Sequence, residues 1–370
     1  MKKAFGRLIG LLLAALLLGG CGAGMTAAPR ERALQLWLVE GDPLADALPA
    51  LAAQYGEQEP ETKLFVTRFA DEAALEAALE VTRPDLLLCS DGLMRELDAG
   101  GQLCSLALSE GDTPRFLPAF AALGDVLGSC YFPLGADTEL LVVRVESAER
   151  FAGCDSLEAL CAAASAYAGE TGGPARFAVD SLCALFERAM TQKGLHFSGE
   201  DNSAGYCALY NLLAQAVFDG GLCPETRDLP AALGRGELAA ALCASRTLAG
   251  LDGTAFCFLP PPAYGGGEAL SRAEIWGLAV LAQDETRSDA ARFVTWLCSY
   301  DRAVSAAISE GLLPAEAGRW LSCGEGAIVP WAAVAGRLHF WLPASDETLP
   351  ETEGAVFEQR VRAALLRLQE

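Results

Sequence analysis

The side chains best placed to do chemistry in this chain are carboxylates. Asp and Glu number 49 against 27 Lys and Arg, for a formal net charge of −22, and there are only two histidines, His196 and His339. Two imidazoles leave almost no material for a histidine metal site or for general-base work, so both read as surface or packing residues. The sequence carries no Gly-x-Ser-x-Gly elbow, phosphate-loop Gly-x-x-x-x-Gly-Lys, His-Glu-x-x-His, Asp-x-Asp-x-Asp-Gly or Cys-x-x-Cys string. No catalytic residue, cofactor or metal is expected. A carboxylate-dependent hydrolase stays open as an alternative, because a glycosidase needs only two Asp or Glu about 5–10 Å apart. The acidic balance repels phosphate backbones and anionic headgroups, and no Lys/Arg cluster interrupts it, which argues against nucleic acid. Some polar residues directly follow strand-like runs: Glu40 and Asp42 after the first, Ser90 and Asp91 after the third. In an open α/β sheet that is where ligands bind.

The elements that must hold those residues begin after a targeting segment. Lys2, Lys3 and Arg7 precede an apolar stretch from Leu8 to Leu18, and Leu18-Gly19-Gly20-Cys21 closes it with small residues before a cysteine. The stretch is shorter than the ~20 apolar residues a bilayer span needs. Leu-Gly-Gly-Cys resembles the lipobox of bacterial lipoproteins, which implies a signal peptide over 1–20, cleavage before Cys21, lipidation of Cys21 and a tether over 21–32. The implied location is the extracytoplasmic face of the cell membrane, held there by the lipid.

Twelve further cysteines would normally suggest a disulfide framework in an exported protein. Their settings argue for buried reduced thiols: Cys89 in a strand-like run, Cys161, Cys183 and Cys243 in Ala/Leu-rich patterns, and Cys257 between Phe256 and Phe258. The pattern from residue 34 reads β-α-β-α-β: a strand over 34–39, a helix reaching Tyr55, a strand over 63–69, a helix over 71–80 and an apolar strand over 86–89. Pro49 fits the first helix if Asp46 is its cap, because a first-turn proline forfeits no helix bond. Such alternation predicts a mostly parallel sheet covered by helices on both faces, in one large domain or two of ordinary size.

The order of features resembles the extracellular solute-binding proteins of ABC importers, family 1, the sugar-binding type. The matching stretches are Leu36-Trp37-Leu38-Val39-Glu40-Gly41-Asp42, Pro84-Asp85-Leu86-Leu87-Leu88-Cys89-Ser90-Asp91, Tyr131-Phe132-Pro133-Leu134-Gly135-Ala136-Asp137, Leu233-Gly234-Arg235-Gly236-Glu237-Leu238, and Phe258-Leu259-Pro260-Pro261-Pro262 followed by Trp276-Gly277-Leu278. Two stretches depart from the family: Val142-Val143-Arg144-Val145 stands where a Tyr-Tyr-Asn-Lys string is usual, and Asp155-Ser156-Leu157-Glu158 is a capping box without the usual aromatic.

The resemblance implies an α/β, periplasmic-binding-protein-like type II fold: two lobes with parallel-rich sheets and a hinged ligand cleft. Two crossovers, near 133–138 and 274–278, would divide the chain into lobe one, 33–134 plus 277–311, and lobe two, 135–276 plus 312–370. The candidate ligand-binding residues are then Glu40, Asp42, Ser90 and Asp91 from lobe one, Asp137 and Trp276 at the crossovers, and Ser245, Arg246 and Tyr264 from lobe two. The implied function is capture of a small polar solute, carbohydrate by family default, by lobe closure and its delivery to an ABC transporter permease by a monomeric protein. The acidic balance and missing aromatics leave cationic or other small polar solutes open. A non-transport sensor or docking lipoprotein would share the fold.

Overall fold

The computed structural model describes residues 32–369 except 110, 172–176, 196–202, 226–227, 250, 252, 300, 317–330 and 345–347. The expected signal segment, Cys21, the tether, His196 and Cys323 lie outside the described residues.

The first half follows the expected alternation: β1 (Arg32–Val39), α1 (Ala47–Gln58), β2 (Thr62–Phe69), α2 (Glu72–Leu79), β3 (Leu86–Ser90) and α3 (Asp91–Ala99). Asp46 is the residue before α1 and Pro49 falls in its first turn; the Asp46 side chain makes no cap bond and accepts instead from Arg68 at 3.1 Å. Asp71 caps α2 by accepting from the Ala74 N–H at 2.8 Å.

Next come β4 (Tyr131–Arg144), α4 (Leu157–Thr171), β5 (Phe177–Val179), α5 (Leu182–Gln192), α6 (Ser203–Phe218), β6 (Leu222–Cys223), α7 (Leu229–Gly234), β7 (Ala240–Ala244) and β8 (Phe256–Leu259). The rest is β9 (Ser271–Val280), α8 (Arg287–Leu297), α9 (Arg302–Ser309), β10 (Leu313–Pro314), β11 (Phe340–Trp341) and α10 (Glu351–Leu366). Ser156 alone caps α4, accepting from the Ala159 N–H at 3.1 Å, while Glu158 accepts from the Gly265 N–H at 3.1 Å. The capping box expected at 155–158 is therefore only half formed.

The strand order is β2-β1-β3-β9-β4-β7-β5-β6. The sheet is mixed where a mostly parallel one is expected from the sequence. β1, β2 and β3 pair in parallel, as do β5, β6 and β7, but β9 runs antiparallel to β3 and β4, and β4 antiparallel to β7. Two parallel groups are thus joined through one antiparallel pair. The two segments expected as crossovers are the paired middles of that pair, Asp137 opposite Glu274 and Gly135 opposite Trp276. Both need close approach. A Cβ on Gly277 would lie 2.5 Å from the Phe132 carbonyl oxygen, and one on Gly135 2.9 Å from the Leu312 Cβ.

Side-chain alternation then divides the core. One face is a continuous apolar layer running through Trp37, Leu87, Cys89, Ala136, Leu140, Val142, Ala178, Ala241, Cys243, Ile275 and Ala279. The opposite face carries two separate clusters. Leu34, Leu36, Leu88, Phe132, Leu134, Trp276 and Leu278 pack in the first half, and Leu141, Val143, Phe177, Val179, Ala240 and Leu242 in the second. The register shift between Pro133 and Gly135 makes this possible on β4, because it moves even-numbered residues from one face to the other.

The eleven cysteines among the described residues are free thiols. Cys89, Cys161 and Cys243 are buried as expected, whereas Cys183 and Cys257 are only half-buried. Burial, with Glu158 nearby, pushes the Cys161 thiol up to about 12. Among the described residues no helix is long and apolar enough to cross a membrane.

Candidate functional site

Between the two separate clusters, on the same face of the sheet, lies a cavity of about 320 Å³. Its position follows from strand parity. On β4, Asp137 and Glu139 precede Leu141 by four and two residues, so they lie on the face that carries Leu141 and Val143 deeper in. On β9, Glu274 and Arg272 extend the face that holds Trp276 and Leu278, and on β3 Ser90 extends the face of Leu86 and Leu88. Each strand therefore changes from apolar to polar on this face as it reaches the gap between the clusters.

Two strand-to-helix corners face the cavity. At the first, the Ser90 hydroxyl caps α3, accepting from the Leu93 N–H at 3.4 Å. Asp91 is buried there, accepting from the Ile275 N–H at 2.8 Å and from Arg95 at 2.8 Å. At the second, Ser181 caps α5, accepting from the Ala184 N–H at 3.1 Å, and the exposed Asp180 accepts from the Thr247 hydroxyl at 2.9 Å. Arg362 of α10 donates to the Asp180 carbonyl at 2.8 Å and holds that corner's backbone.

The middle of β4 supplies the floor. Asp137 accepts from the Ser245 hydroxyl and from the Arg246 N–H, each at 3.1 Å, and the Thr138 N–H donates back to Ser245 at 3.1 Å. Glu139 forms an ion pair with the fully buried Arg188 at 2.7 Å, and Arg188 also donates to the Pro262 carbonyl at 2.7 Å. Arg272, the cation in the lining, is 3.6 Å from Glu187.

The electrostatics follow from this crowding. Burial raises the Asp137 carboxyl against the bonds it accepts, and raises Asp91 against the Ile275 N–H and Arg95. Glu274 is raised by burial first, with Asp137 and Asp91 adding repulsion and the Trp276 side chain and the Arg272 charge opposing. Asp42 is pushed up to about 6 by burial, then by Glu72 and Glu274, with Arg246 pulling the other way. Asp42 thus belongs to the same group of charges although it does not line the cavity.

The structure brings together some of the sequence-derived candidates and separates others. Ser90, Asp91 and Asp137 line the cavity. Ser245 is fully buried beneath Asp137, and Arg246 lies beside it, near enough to act on both Asp42 and Asp137. Trp276, expected as a cleft platform, is instead taken into the first-half core at 8% exposure, because its parity on β9 points it among Leu88, Phe132 and Leu278. Tyr264, expected on a loop that reaches ligand, is buried in the second-half core under Lys193, whose ammonium is 4.9 Å from the ring centre. Glu40 is exposed at the end of β1, its N–H bonded to the Phe69 carbonyl at 2.8 Å, and is not in the cavity lining. Glu139, Asp180, Ser181, Arg272 and Glu274 are not among the sequence-derived candidates and do line it. Asp180-Ser181 repeats the strand, polar pair, helix pattern of Ser90-Asp91, a signal that could have found it.

None of the cavity's described lining residues is aromatic. Among the described residues no three of His, Cys, Asp and Glu converge closely enough to hold a metal ion. The carboxylates surround the space instead of meeting at a point.

No family model matches the sequence, and no curated protein matches it. Solved structures do match. A putative binding protein MsmE from Bacillus subtilis in an open conformation superposes with a TM-score of 0.67 at 14% identity, over 91% of this chain and 93% of that one. The cyclic alpha-maltosyl-1,6-maltose binding protein from Arthrobacter globiformis gives 0.63 at 17% identity, over 91% and 94%. Maltose-bound MalE3 of T. maritima gives 0.62 at 16%, over 91% and 95%. Identity this low speaks to architecture alone, and the architecture is that of the periplasmic-binding-protein-like α/β fold.

Proposed function

We propose that this chain is an extracytoplasmic solute-binding protein of an ABC importer, anchored through a lipid on Cys21, that captures a small polar solute and delivers it to a permease. The observation that carries this reading is the cavity itself: polar residues from both groups of parallel strands meet across a gap spanned by β4 and β9. At about 320 Å³ it is at the small end of ligand sites. Two of the matched structures support the reading: one is a cyclic alpha-maltosyl-1,6-maltose binding protein and the other is maltose-bound.

Lobes of 33–134 plus 277–311 and 135–276 plus 312–370 would close by bending at the middles of β4 and β9. Closure follows binding only if the solute contacts both walls, because a ligand shifts an equilibrium by its difference in affinity for the two states. The test is a thermal-melt screen of sugars, polyols, amines and peptides, with solution scattering on any hit. A solute at about a hundred times its Kd should stabilise the native state by about 2.7 kcal/mol and shrink the radius of gyration. A hit that binds without compaction refutes closure; a screen in which no small polar solute raises the melt refutes solute capture. Fatty-acid labelling of wild type but not Cys21→Ser checks the anchor.

A further inference from the structure

We infer that the solute bears protonated amines, because the cavity sets Asp137, Glu274 and Asp180 around one space and, among the described residues, no cation is ion-paired to any of the three and no aromatic ring lines it. This rests on the reading of the cavity as the solute site and specifies what that site selects.

The charges fall into two groups. Asp91 is held by Arg95 and Glu139 by Arg188, so those two carboxylates are already compensated within their own walls. Arg272 lies 3.6 Å from Glu187, outside the lining, and offsets Glu274 only from beyond ion-pair distance, as Arg246 does Asp137. Asp137 and Asp180 accept from hydroxyl and backbone groups only, and Glu274 has no ion pair within 4 Å among the described residues. A neutral sugar ring would want an apolar platform for its C–H face, and Trp276, the ring expected to serve, is turned into the core. An ammonium group needs the opposite: acceptor oxygens and fixed negative charge. Because the carboxylates are spread around the space, an organic cation of some length satisfies them better than a metal ion.

The cavity is also electrostatically loaded. Burial raises Glu274 and repulsion from Asp137 and Asp91 adds to it, while Glu274 in turn adds to the rise of Asp42; an ammonium bound beside Glu274 would relieve that repulsion. Asp137 and Glu274 belong to the β4/β9 pair, while Asp180 follows β5 in the second half. All three carboxylates fall in 135–276, so an amine held by them closes the lobes only when the rest of the solute also reaches Ser90 at the first corner.

The experiment is isothermal titration of the full chain with spermidine, glucosamine and maltose, in about 20 mM and about 500 mM NaCl, with scattering on each complex. Spermidine or glucosamine should bind, compact the protein and weaken several-fold at high salt, with maltose silent; which of the two binds separates a polyamine from an amino sugar. Glu274→Gln and Asp180→Asn should each weaken the amine about tenfold, while Glu353→Gln, on α10 away from the cavity, should not. If maltose binds and compacts the chain while both amines fail, the amine inference is overturned and solute capture stands. If an amine binds but the cavity variants match wild type, or Glu353→Gln weakens it equally, the attraction is not seated in this cavity and the inference is again overturned. No binding by either amine at about 1 mM, the weak limit of a useful affinity, overturns it as well.

Discussion

The corners at Ser90-Asp91 and Asp180-Ser181 share one sequence pattern, a buried strand, a hydroxyl that caps the next helix and a neighbouring aspartate, yet the aspartates meet opposite fates. Asp91 is buried and commits both oxygens, one to Arg95 of its own helix and one to the Ile275 N–H of the joining strand β9. Asp180 is exposed to the cavity and, among the described residues, its side chain takes one bond, from Thr247, while Arg362 holds its backbone. The order of the pair decides this. In the first corner the serine comes first, so the aspartate falls inside α3 and packs against β9; in the second the aspartate comes first and stays outside α5. A shared motif therefore does not make two equivalent ligands. One aspartate welds a wall together, and the other is left over for something that enters.

The same division predicts which substitutions unfold the protein and which only disable binding. The largest effect should come from Arg188, fully buried against Glu139 and Pro262. Arg188→Met strands the Glu139 carboxylate and should cost about 3–5 kcal/mol in denaturant unfolding. Adding Glu139→Gln to that variant should recover much of the loss. If the double variant is no more stable than the single, the ion pair is not what the arginine contributes.

Asp91→Ala comes next, at about 2 kcal/mol, because it leaves the Ile275 N–H without its acceptor in a buried strand. Asp180→Ala should leave the melt within about a degree of wild type, as exposed substitutions do, while abolishing solute-induced compaction. Equal destabilisation by the two alanines would erase the contrast between the corners.

How much of this is legible in the sequence depends on how local the cause is. Pro49 in the first turn of α1 and a helix starting beside Asp71 follow from a few neighbouring residues and appear where expected, although Asp46 makes no cap bond. Ser90 and Asp91 are legible because an apolar strand announces its own end, whereas Asp137 sits mid-strand in β4 and is reached only through the crossover that the family resemblance implies. Asp180 is not legible, since β5 has three residues and shows no alternation of its own. Trp276 and Glu274 lie two apart on one strand and so share a face, but where that face passes from core to cavity is set by pairing with β3 and β4, far away in sequence. The mixed sheet is hidden for the same reason: the return of β9 beside β3 is a tertiary fact that alternation of strands and helices does not encode.

The smallest effect expected, and the sharpest on the open wall, is a pH dependence at Asp42. Its carboxyl is near 3.8 in an unfolded chain and is pushed up to about 6 in the fold, by burial, then Glu72 and Glu274, with Arg246 opposing. Between those values the native state binds a proton that the unfolded chain releases, so raising the pH lowers stability. The contribution is complete below about 4 and is lost as pH rises through about 6. Asp42 is half-buried, so solvent screens much of the cost and the melt should move by about one or two degrees. Asp42→Asn should melt higher than wild type at about pH 7.5 and converge with it as the pH falls below about 4 and the wild-type carboxyl becomes protonated in both states, measured by calorimetry on both proteins. A variant that melts lower at neutral pH, or keeps a constant offset at every pH, would show that Asp42 is a structural group like Asp91 and not part of a charge held ready for a solute.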